Sequence, residues 1–476
     1  MSRPELELGG EKILENGKVW MALFAAILIS MALVLSAEIN RPWINGVDFN
    51  GAVWAQSAHN ILRAGLIETA GASSGFYYGP LPIPAWGYYL HHPPLLHLAI
   101  AFLFAIFGEH EWVARLVPLL CCLTGTVFLW LLVRSCAGAR VATLSAAVFA
   151  FLPMQLRYGP MVNLCCLLRA KNGDRRFAGI LFLSALLSGV LYLVRIALLR
   201  PDAWQNLSHT FLVRLGASNG GHFTELQWIT RIADTLVTHF LPTGLILGGI
   251  GAVILWRARS RGEGWQWLAR AATTILVMDL LFVGIFQNDS FIHQYLAFYL
   301  LAPIAIAAGL TLDRLIDALR LVTTPRLFPR TALVFACLLL LALGWSGVHR
   351  ERALVRRFRI LDYHTDEPAA LIPELGKAIR ATFPAGTLVL CNFLPDYGPQ
   401  LAYYAQRDIV NNLSEYRFWS PRLSDTSQRV GGVVWVSPNP SSQGILANLP
   451  PGRKRFLTVG SLTFCLWKRG ETRDAK

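Results

Sequence analysis

Charged residues are scarce in this chain. Only 15% of its 476 residues are charged, whereas 54% are hydrophobic. Soluble domains average about 25% charged residues, so the composition excludes an ordinary soluble protein. Several apolar runs reach the roughly 20 residues that cross a bilayer. The chain is therefore predicted to be a polytopic α-helical membrane protein.

Nucleotide and metal signatures are also missing. The sequence contains no GxGxxG motif and no P-loop, and its eight cysteines show no zinc-type spacing. No metal site and no required cofactor are predicted, although a divalent metal remains compatible with the chemistry discussed below. No internal repeat is found, which counts against a transporter built from repeats.

The charge that is present is mostly basic, with 43 Lys and Arg against 29 Asp and Glu and a net charge of +14. These basic residues sit in short connections between apolar runs, as the positive-inside bias requires. They do not gather on one face, so the predicted partner is the membrane and not a nucleic acid.

The apolar runs and basic connections together predict about nine spans with the C-terminus outside. The run Val19–Ala37 is interpreted as the first span, because it is longer than a signal sequence and lacks a clear cleavage site. The others lie at about 112–133, 141–156, 178–199, 237–256, 270–286, 291–311 and 331–348, with a short crossing near 161–168. The apolar run 95–107 is too short to cross and is predicted to lie at the membrane surface.

Two domains are predicted: a transmembrane domain over 1–349, with its first extracytoplasmic loop at 38–111, and a juxtamembrane segment with a small extracytoplasmic α/β domain over 350–476. In the second domain, two helices are predicted at ELGKAIRATF and QLAYYAQR, and two strands at TLVLCNF and GGVVWVS. The last strands are predicted to form a hairpin around Gly460. A disulfide between Cys391 and Cys465 is an option if the domain faces an oxidising compartment.

The stretch Asn45–Pro94 is the longest polar interruption in the hydrophobic two thirds of the chain. Asp48 precedes an amphipathic stretch that is predicted to form a helix on the membrane surface and to end at Gly65. A carboxylate at this point suits a general base, and it equally suits an N-cap. Both interpretations stay open on the sequence alone.

Other polar residues near the apolar runs have two interpretations each. The imidazoles of His91 and His92 can donate to a phosphate, or they can be interfacial residues at a proline-rich helix start. Arg115 suits bidentate phosphate binding, or it extends to lipid headgroups. Asp279 lies inside a span and is either functional or paired with a basic side chain. Tyr295 is an interfacial aromatic whose role the sequence leaves open.

The stretches VDFNGAVWAQSAHNILRAG (47–65) and YLHHPPLLHLAIAFLFAIFGEHEWVARLVPLL (89–120) resemble the first loop of membrane glycosyltransferases with the GT-C fold. The similarity is greatest to the family 39 group, which includes protein O-mannosyltransferases and aminoarabinose transferases. It extends over about residues 19–311 and implies a GT-C-like bundle. It also implies transfer of a sugar from a polyprenyl-phosphate carrier outside the cytoplasmic membrane.

By this resemblance, Asp48 corresponds to the catalytic carboxylate of the first loop. The substrate-binding positions that it implies are His91, His92, Arg115, Asn163, Arg214 and Tyr295. The sequence departs from the family where relatives carry a second acidic residue after an MVN motif. Cys165 stands at that place, and Pro160 replaces the usual Arg.

The predicted function is a membrane glycosyltransferase, hexosyl or pentosyl, located in the cytoplasmic (inner) membrane with its active site outside. Its predicted partners are a polyprenyl-phosphate-linked sugar donor and an envelope lipid, glycan or protein acceptor. Two other classes remain open. Asp279 favours a lipid or solute transporter or flippase, and Cys165 favours a degenerate relative that binds the carrier without chemistry.

Overall fold

A computed structural model describes residues 17–37, 39–44, 48–69, 71–75, 77–84, 87–88, 94–162, 194, 208, 211–215, 223–324, 327–362, 371–392, 398–411, 430–437, 452–459 and 462–469. Several sequence predictions fall wholly or mostly outside these residues: His91, His92, Asn163, Cys165, the short crossing near 161–168 and the span 178–199.

The chain forms two compact units. The helical unit comprises residues 1–38, 118–193 and 204–354, and the loop unit comprises 39–117, 194–203 and 355–476. The loop unit thus joins the first predicted loop to the C-terminal segment. Whether 1–349 and 350–476 fold as independent domains stays a prediction.

The helices follow one another along the described chain. They are α1 (Gly17–Ser36), α2 (Phe49–Ala64), α3 (Leu66–Thr69), α4 (Leu95–Phe107), α5 (Glu111–Ala137), α6 (Ala139–Phe151), α7 (Pro153–Val162), α8 (Glu225–Phe240), α9 (Pro242–Ala258), α10 (Glu263–Ile285), α11 (Gln287–Ile292), α12 (Leu301–Ala318), α13 (Phe328–Asp362), α14 (Ile372–Thr382) and α15 (Gly398–Ala405). Short 3₁₀ helices lie at Arg259–Arg261, Gln294–Leu300 and Leu319–Leu321.

Five described helical segments are long and apolar enough to cross a membrane, and the number is six if the pair α8–α9, which is bent by 93°, forms one span. Of the nine or so predicted crossings, those near 161–168 and at 178–199 fall wholly or mostly outside the described residues. The predicted span at 141–156 is not one continuous helix, because α6 and α7 meet at Leu152. Leu152 precedes Pro153 and takes an extended conformation (φ −63°, ψ 138°), since proline disfavours helical backbone in the residue before it.

The core of the helical unit is built on α6. Val141 to Phe151 are all buried, as expected for a helix that is apolar on every side. The stripe Trp20, Phe24, Ile27 and Met31 of α1 is buried too. The Phe24 ring stacks on that of Trp130 with 4.5 Å between centroids.

The C-terminal segment contains the predicted small α/β structure. Its strands are β1 (Leu388–Asn392), β2 (Asp408–Asn411), β3 (Val430–Ser437), β4 (Gly452–Val459) and β5 (Leu462–Arg469). They form one sheet in the order β2-β1-β3-β5-β4, in which β1 is parallel to β2 and β3, and β5 is antiparallel to β3 and β4. The helix α14 buries Ile372, Leu375 and Ile379, and the predicted hairpin around Gly460 is confirmed.

The disulfide between Cys391 and Cys465 does not form. Both thiols are free and buried, and their strands β1 and β5 flank β3 on opposite sides. Two strand spacings separate their backbones by about 10 Å, whereas a disulfide needs Cα atoms within roughly 7 Å. These cysteines therefore serve as small apolar core residues.

Candidate active site

Asp48 occupies the N-cap position of α2, but its side chain makes no capping hydrogen bond. Oδ2 instead accepts a hydrogen bond from the backbone N–H of Ile44 at 3.1 Å, and Oδ1 accepts one from Nη2 of Arg41 at 3.2 Å. With only 5% of Asp48 exposed, the carboxylate is a buried acceptor held on both oxygens.

Arg115, at the start of α5, is the second cation on this carboxylate. Its Nη2 lies 3.2 Å from Oδ1 of Asp48, and its Nη1 donates to the backbone carbonyls of Ile39, at 2.9 Å, and of Arg41. The guanidinium also stacks over the Trp43 ring at 3.9 Å. Arg115 therefore bonds to both ends of the segment 39–48. Its predicted contact with a phosphate stays a prediction.

Arg41 is a site residue that the sequence analysis missed. It belongs to no motif, and its separation from Asp48 follows no helix or strand period. The available signal was an arginine just beyond the first span, before Pro42, which favours extended backbone at Arg41. An arginine at such a position is normally interpreted as a residue that contacts lipid headgroups, so it does not stand out as a site residue.

Tyr404 of α15 connects two parts of this cluster. Its hydroxyl accepts a hydrogen bond from the Trp43 backbone N–H at 2.8 Å and donates to Oε1 of Glu111 at 2.7 Å. Burial raises the pKa of Tyr404 above its usual value, and the hydrogen bond and charge of Glu111 raise it further. The phenol therefore remains protonated at neutral pH and acts as the donor to Glu111.

The helical unit contains a second polar cluster, at the predicted positions Arg214 and Tyr295. Nη1 of Arg214 lies 3.6 Å from Oδ2 of Asp289, and Nε2 of His293 lies 3.5 Å from Oδ1 of the same carboxylate. The His293 ring stacks on that of Tyr295, with 5.0 Å between centroids. Burial and the charge of Arg214 lower the pKa of His293 and outweigh Asp289, which raises it. The neutral imidazole is therefore favoured.

Two hydrogen bonds fix the short helix α11, which carries Asp289. Nδ2 of Asn288 donates to the carbonyl of Val213 at 2.8 Å, beside Arg214 in the chain. The Trp228 indole donates to Oγ of Ser290 at 2.8 Å. The sequence analysis did not select Asp289, because its neighbours Gln287, Asn288 and Ser290 are typical of a short polar connection between spans.

The structure brings Asp48 together with Arg115 in the loop unit. In the helical unit it links Arg214 to Tyr295 through Asp289 and His293. His91, His92 and Asn163 lie outside the described residues. Among the residues that are described, no group of three or more His, Cys, Asp or Glu side chains could hold a metal ion.

Comparison with known proteins relates this chain to glycosyltransferases. A family model described as dolichyl-phosphate-mannose-protein mannosyltransferase matches residues 91–170. The crystal structure of ArnT from Cupriavidus metallidurans bound to undecaprenyl phosphate superposes with a TM-score of 0.54 at 14% identity, covering 94% of this chain and 98% of that one. No curated protein matches the sequence significantly.

A further solved structure is similar over a smaller part of its length. The archaeal oligosaccharyltransferase AglB from Archaeoglobus fulgidus, in complex with an inhibitory peptide and a dolichol-phosphate, has a TM-score of 0.48 at 14% identity, with 87% of this chain and 69% of that one covered. The chain has the GT-C fold of membrane glycosyltransferases, and the predicted resemblance to that class is confirmed.

Proposed function

We propose that this protein is a glycosyltransferase that moves a sugar from a polyprenyl-phosphate carrier to a lipid, glycan or protein acceptor. The observation that carries the proposal is the Asp48 cluster, a buried carboxylate held by two guanidinium groups in a GT-C fold. The ArnT structure with this fold was solved with undecaprenyl phosphate, which supports a carrier of that chemical class.

In the proposed reaction, an acceptor hydroxyl or amine attacks the anomeric carbon of the donor sugar. Asp48 takes the proton of the attacking group as general base. The bond between the anomeric carbon and the phosphate oxygen breaks with inversion, and its electron pair leaves with the polyprenyl phosphate. That leaving group is anionic, so it needs electrostatic stabilisation more than protonation.

The proposed phosphate ligands are Arg214 and Tyr295, together with His91, His92, Asn163 and Arg115. Arg214 is supported by its geometry. Its side chain is 30% exposed, and it meets Asp289 through an ion pair at 3.6 Å. A guanidinium presents five donors in a planar fork, so this pairing leaves capacity for a phosphate. Arg115, by contrast, already contacts Asp48 and two carbonyls, which supports an additional role in orienting Asp48.

The proposed location is the cytoplasmic (inner) membrane, with the active site and the C-terminal domain outside. The support is the distribution of basic residues, since connections such as RAKNGDRR and WRARSRGEGWQW match the positive-inside bias. Accessibility labelling of a single cysteine introduced at exposed Lys377 or Arg380 of α14 in intact cells tests this orientation. Labelling only after the membrane is opened would contradict it.

Replacing Arg214 by alanine is expected to weaken donor binding about 10- to 100-fold, because a hydrogen bond to a charged group contributes about 1.5–3 kcal/mol. The measurement is the KM for lipid-linked sugar in nanodiscs, together with the affinity for polyprenyl phosphate alone. The matched control is Arg261→Ala, which removes an exposed arginine. An unchanged KM in Arg214→Ala would exclude Arg214 as a phosphate ligand.

The proposed function itself is tested in two assays. Mass spectrometry of envelope lipids, glycans and proteins, with and without the gene, is expected to show a loss of one sugar mass. Purified protein in nanodiscs, supplied with an extract of envelope lipids, glycans and proteins as acceptor, is then expected to release polyprenyl phosphate from one member of a panel of hexosyl- and pentosyl-phosphate polyprenols. The proposal would be overturned if cells with and without the gene had the same envelope glycans and if the purified protein released polyprenyl phosphate from no donor.

A transporter is the second candidate, and one observation favours it. Asp279 lies within the span α10 and is only 2% exposed, and neither of its carboxylate oxygens has a hydrogen-bond partner among the described residues. Ionisable groups inside a membrane commonly mark transport pathways. Counterflow of labelled lipid-linked sugar across vesicles, without a covalent product and lost in Asp279→Asn, would establish this alternative.

A further inference from the structure

Two neighbouring tyrosines of the C-terminal domain contact Trp43, in the segment that leads to Asp48. The Tyr403 ring lies edge-on to the Trp43 ring, with 6.3 Å between centroids, and Tyr404 bonds to the Trp43 backbone. The hydroxyl of Tyr404 accepts the Trp43 backbone N–H and donates to the Glu111 carboxylate. Because burial raises the pKa of the phenol, it keeps its proton and both hydrogen bonds persist across neutral pH. The hydroxyl thus joins the chain just after α1 to the first turn of α5.

Trp43 is the residue through which this contact reaches the carboxylate. Its ring lies beneath the Arg115 guanidinium at 3.9 Å. Its neighbours along the chain also touch Asp48, because the Ile44 N–H donates to Oδ2 and the Arg41 guanidinium donates to Oδ1 from two residues away. A shift of the Trp43 backbone therefore changes several contacts of Asp48 at once.

Two other bonds between the C-terminal domain and the first loop lie outside this cluster. Gln56 on α2 donates to the carbonyl of Pro399. The Tyr78 backbone N–H donates to Oδ1 of Asp408 at 2.6 Å. Both fix the loop unit internally, but neither touches Arg41, Trp43 or Arg115. Tyr404 differs from them because its partner belongs to the segment that orients Asp48.

We propose that Tyr404 is a positioning residue for sugar transfer: it holds Trp43, and through Trp43 the two guanidinium groups that orient Asp48. This inference rests on the proposed function and deepens it. It gives the C-terminal domain a direct part in building the active site.

Tyr404→Phe tests the inference, since it removes one oxygen and keeps the ring. We expect kcat to fall about 10- to 100-fold, the scale of a misplacement of about 1 Å, with little change in the KM for the donor. The control is Asp408→Ala, which removes another bond between the same domain and loop. It is expected to lower the thermal midpoint without lowering kcat. Glu111→Gln keeps an acceptor for Tyr404 and is expected to retain more activity than Glu111→Ala.

Hydrogen exchange at Ile44 provides a measurement that does not depend on turnover. The Ile44 N–H donates to Asp48, so its exchange is expected to accelerate in Tyr404→Phe and to stay as in wild type in Asp408→Ala. Wild-type protein without transferase activity would overturn the proposed function, while this exchange would still test the positioning. Wild-type kcat in Tyr404→Phe, or equal loss of kcat in Asp408→Ala, would overturn the inference.

Discussion

Asp48→Asn is expected to reduce sugar transfer by about 10²–10⁴-fold, the usual contribution of a general base. The amide keeps the size and one acceptor oxygen of the carboxylate, but it takes up a proton from the acceptor far less readily. The measurement is kcat for release of polyprenyl phosphate in nanodiscs. KM for the donor is expected to change little, because donor binding is assigned to other residues.

Asp234→Asn is the matched control, because this aspartate lies on α8 with its side chain 60% exposed. It is expected to keep wild-type kcat. The thermal midpoint must be measured on both variants, since Asp48→Asn also leaves two arginines facing a neutral amide. Transfer at the wild-type rate in Asp48→Asn would remove Asp48 from the mechanism.

Arg41→Ala separates a catalytic carboxylate from a merely structural ion pair. It removes one of the two cations on Asp48 but leaves the carboxylate and Arg115 in place. If Asp48 acts as the base, this variant is expected to lose about tenfold in kcat, well short of the loss in Asp48→Asn. If kcat falls equally in Arg41→Ala and Asp48→Asn, and the thermal midpoint falls with it in both, the ion pair between Arg41 and Asp48 only stabilises the fold.

Local patterns predicted much of the fold. The apolar run from Val19 gave the first span, and Gly65 marked the end of α2, where its φ of 90° favours glycine. The alternation of strands and helices after residue 370 gave the C-terminal α/β structure. Each of these features depends on residues close together in the chain, which is why a single sequence reveals them.

The contacts that build the candidate site connect distant residues. Arg115 is 67 positions from Asp48, and Tyr404 is 361 positions from Trp43. No periodicity relates such pairs, so the sequence could supply Asp48 and Arg115 as single candidates but could not join them. Arg41 and Tyr404 had no motif at all.

The burial of polar residues on α2 could not be predicted from the sequence. Its polar residues suggested a water-facing side, yet Gln56 and Asn60 are 0% exposed. Their burial is possible because their amides have hydrogen-bond partners inside the protein. The Asn60 amide donates to the carbonyls of Ser74 and Tyr77, and the Gln56 amide donates to the carbonyl of Pro399. Conversely, Leu62 is 43% exposed. Buried polar groups with such partners look like surface residues in a sequence.

Gly251→Ala is expected to destabilise the helical unit more than any other single methyl group added to α9. A methyl carbon at this position would lie 1.7 Å from the carbonyl oxygen of Ala307 and 2.3 Å from its carbonyl carbon. Both atoms belong to the backbone of α12, so they cannot move aside as a side chain can. Overpacking of this kind costs about 1–3 kcal/mol or more. The measurement is the thermal midpoint in detergent.

Two neighbouring glycines on the same helix provide graded controls. A methyl carbon at Gly248 would lie 3.2 Å from Cγ2 of Ile304, a side-chain atom that can shift, and one at exposed Gly249 would meet nothing within 4 Å. Gly249→Ala is therefore expected to raise stability by up to about 1 kcal/mol through helix propensity. The expected order of midpoints is Gly249→Ala, Gly248→Ala, then Gly251→Ala. Small residues allow membrane helices to approach closely. The order of the three thermal midpoints therefore tests how closely the backbones of α9 and α12 approach each other. If Gly251→Ala and Gly249→Ala have the same thermal midpoint, the backbones of α9 and α12 are not in close contact at Gly251.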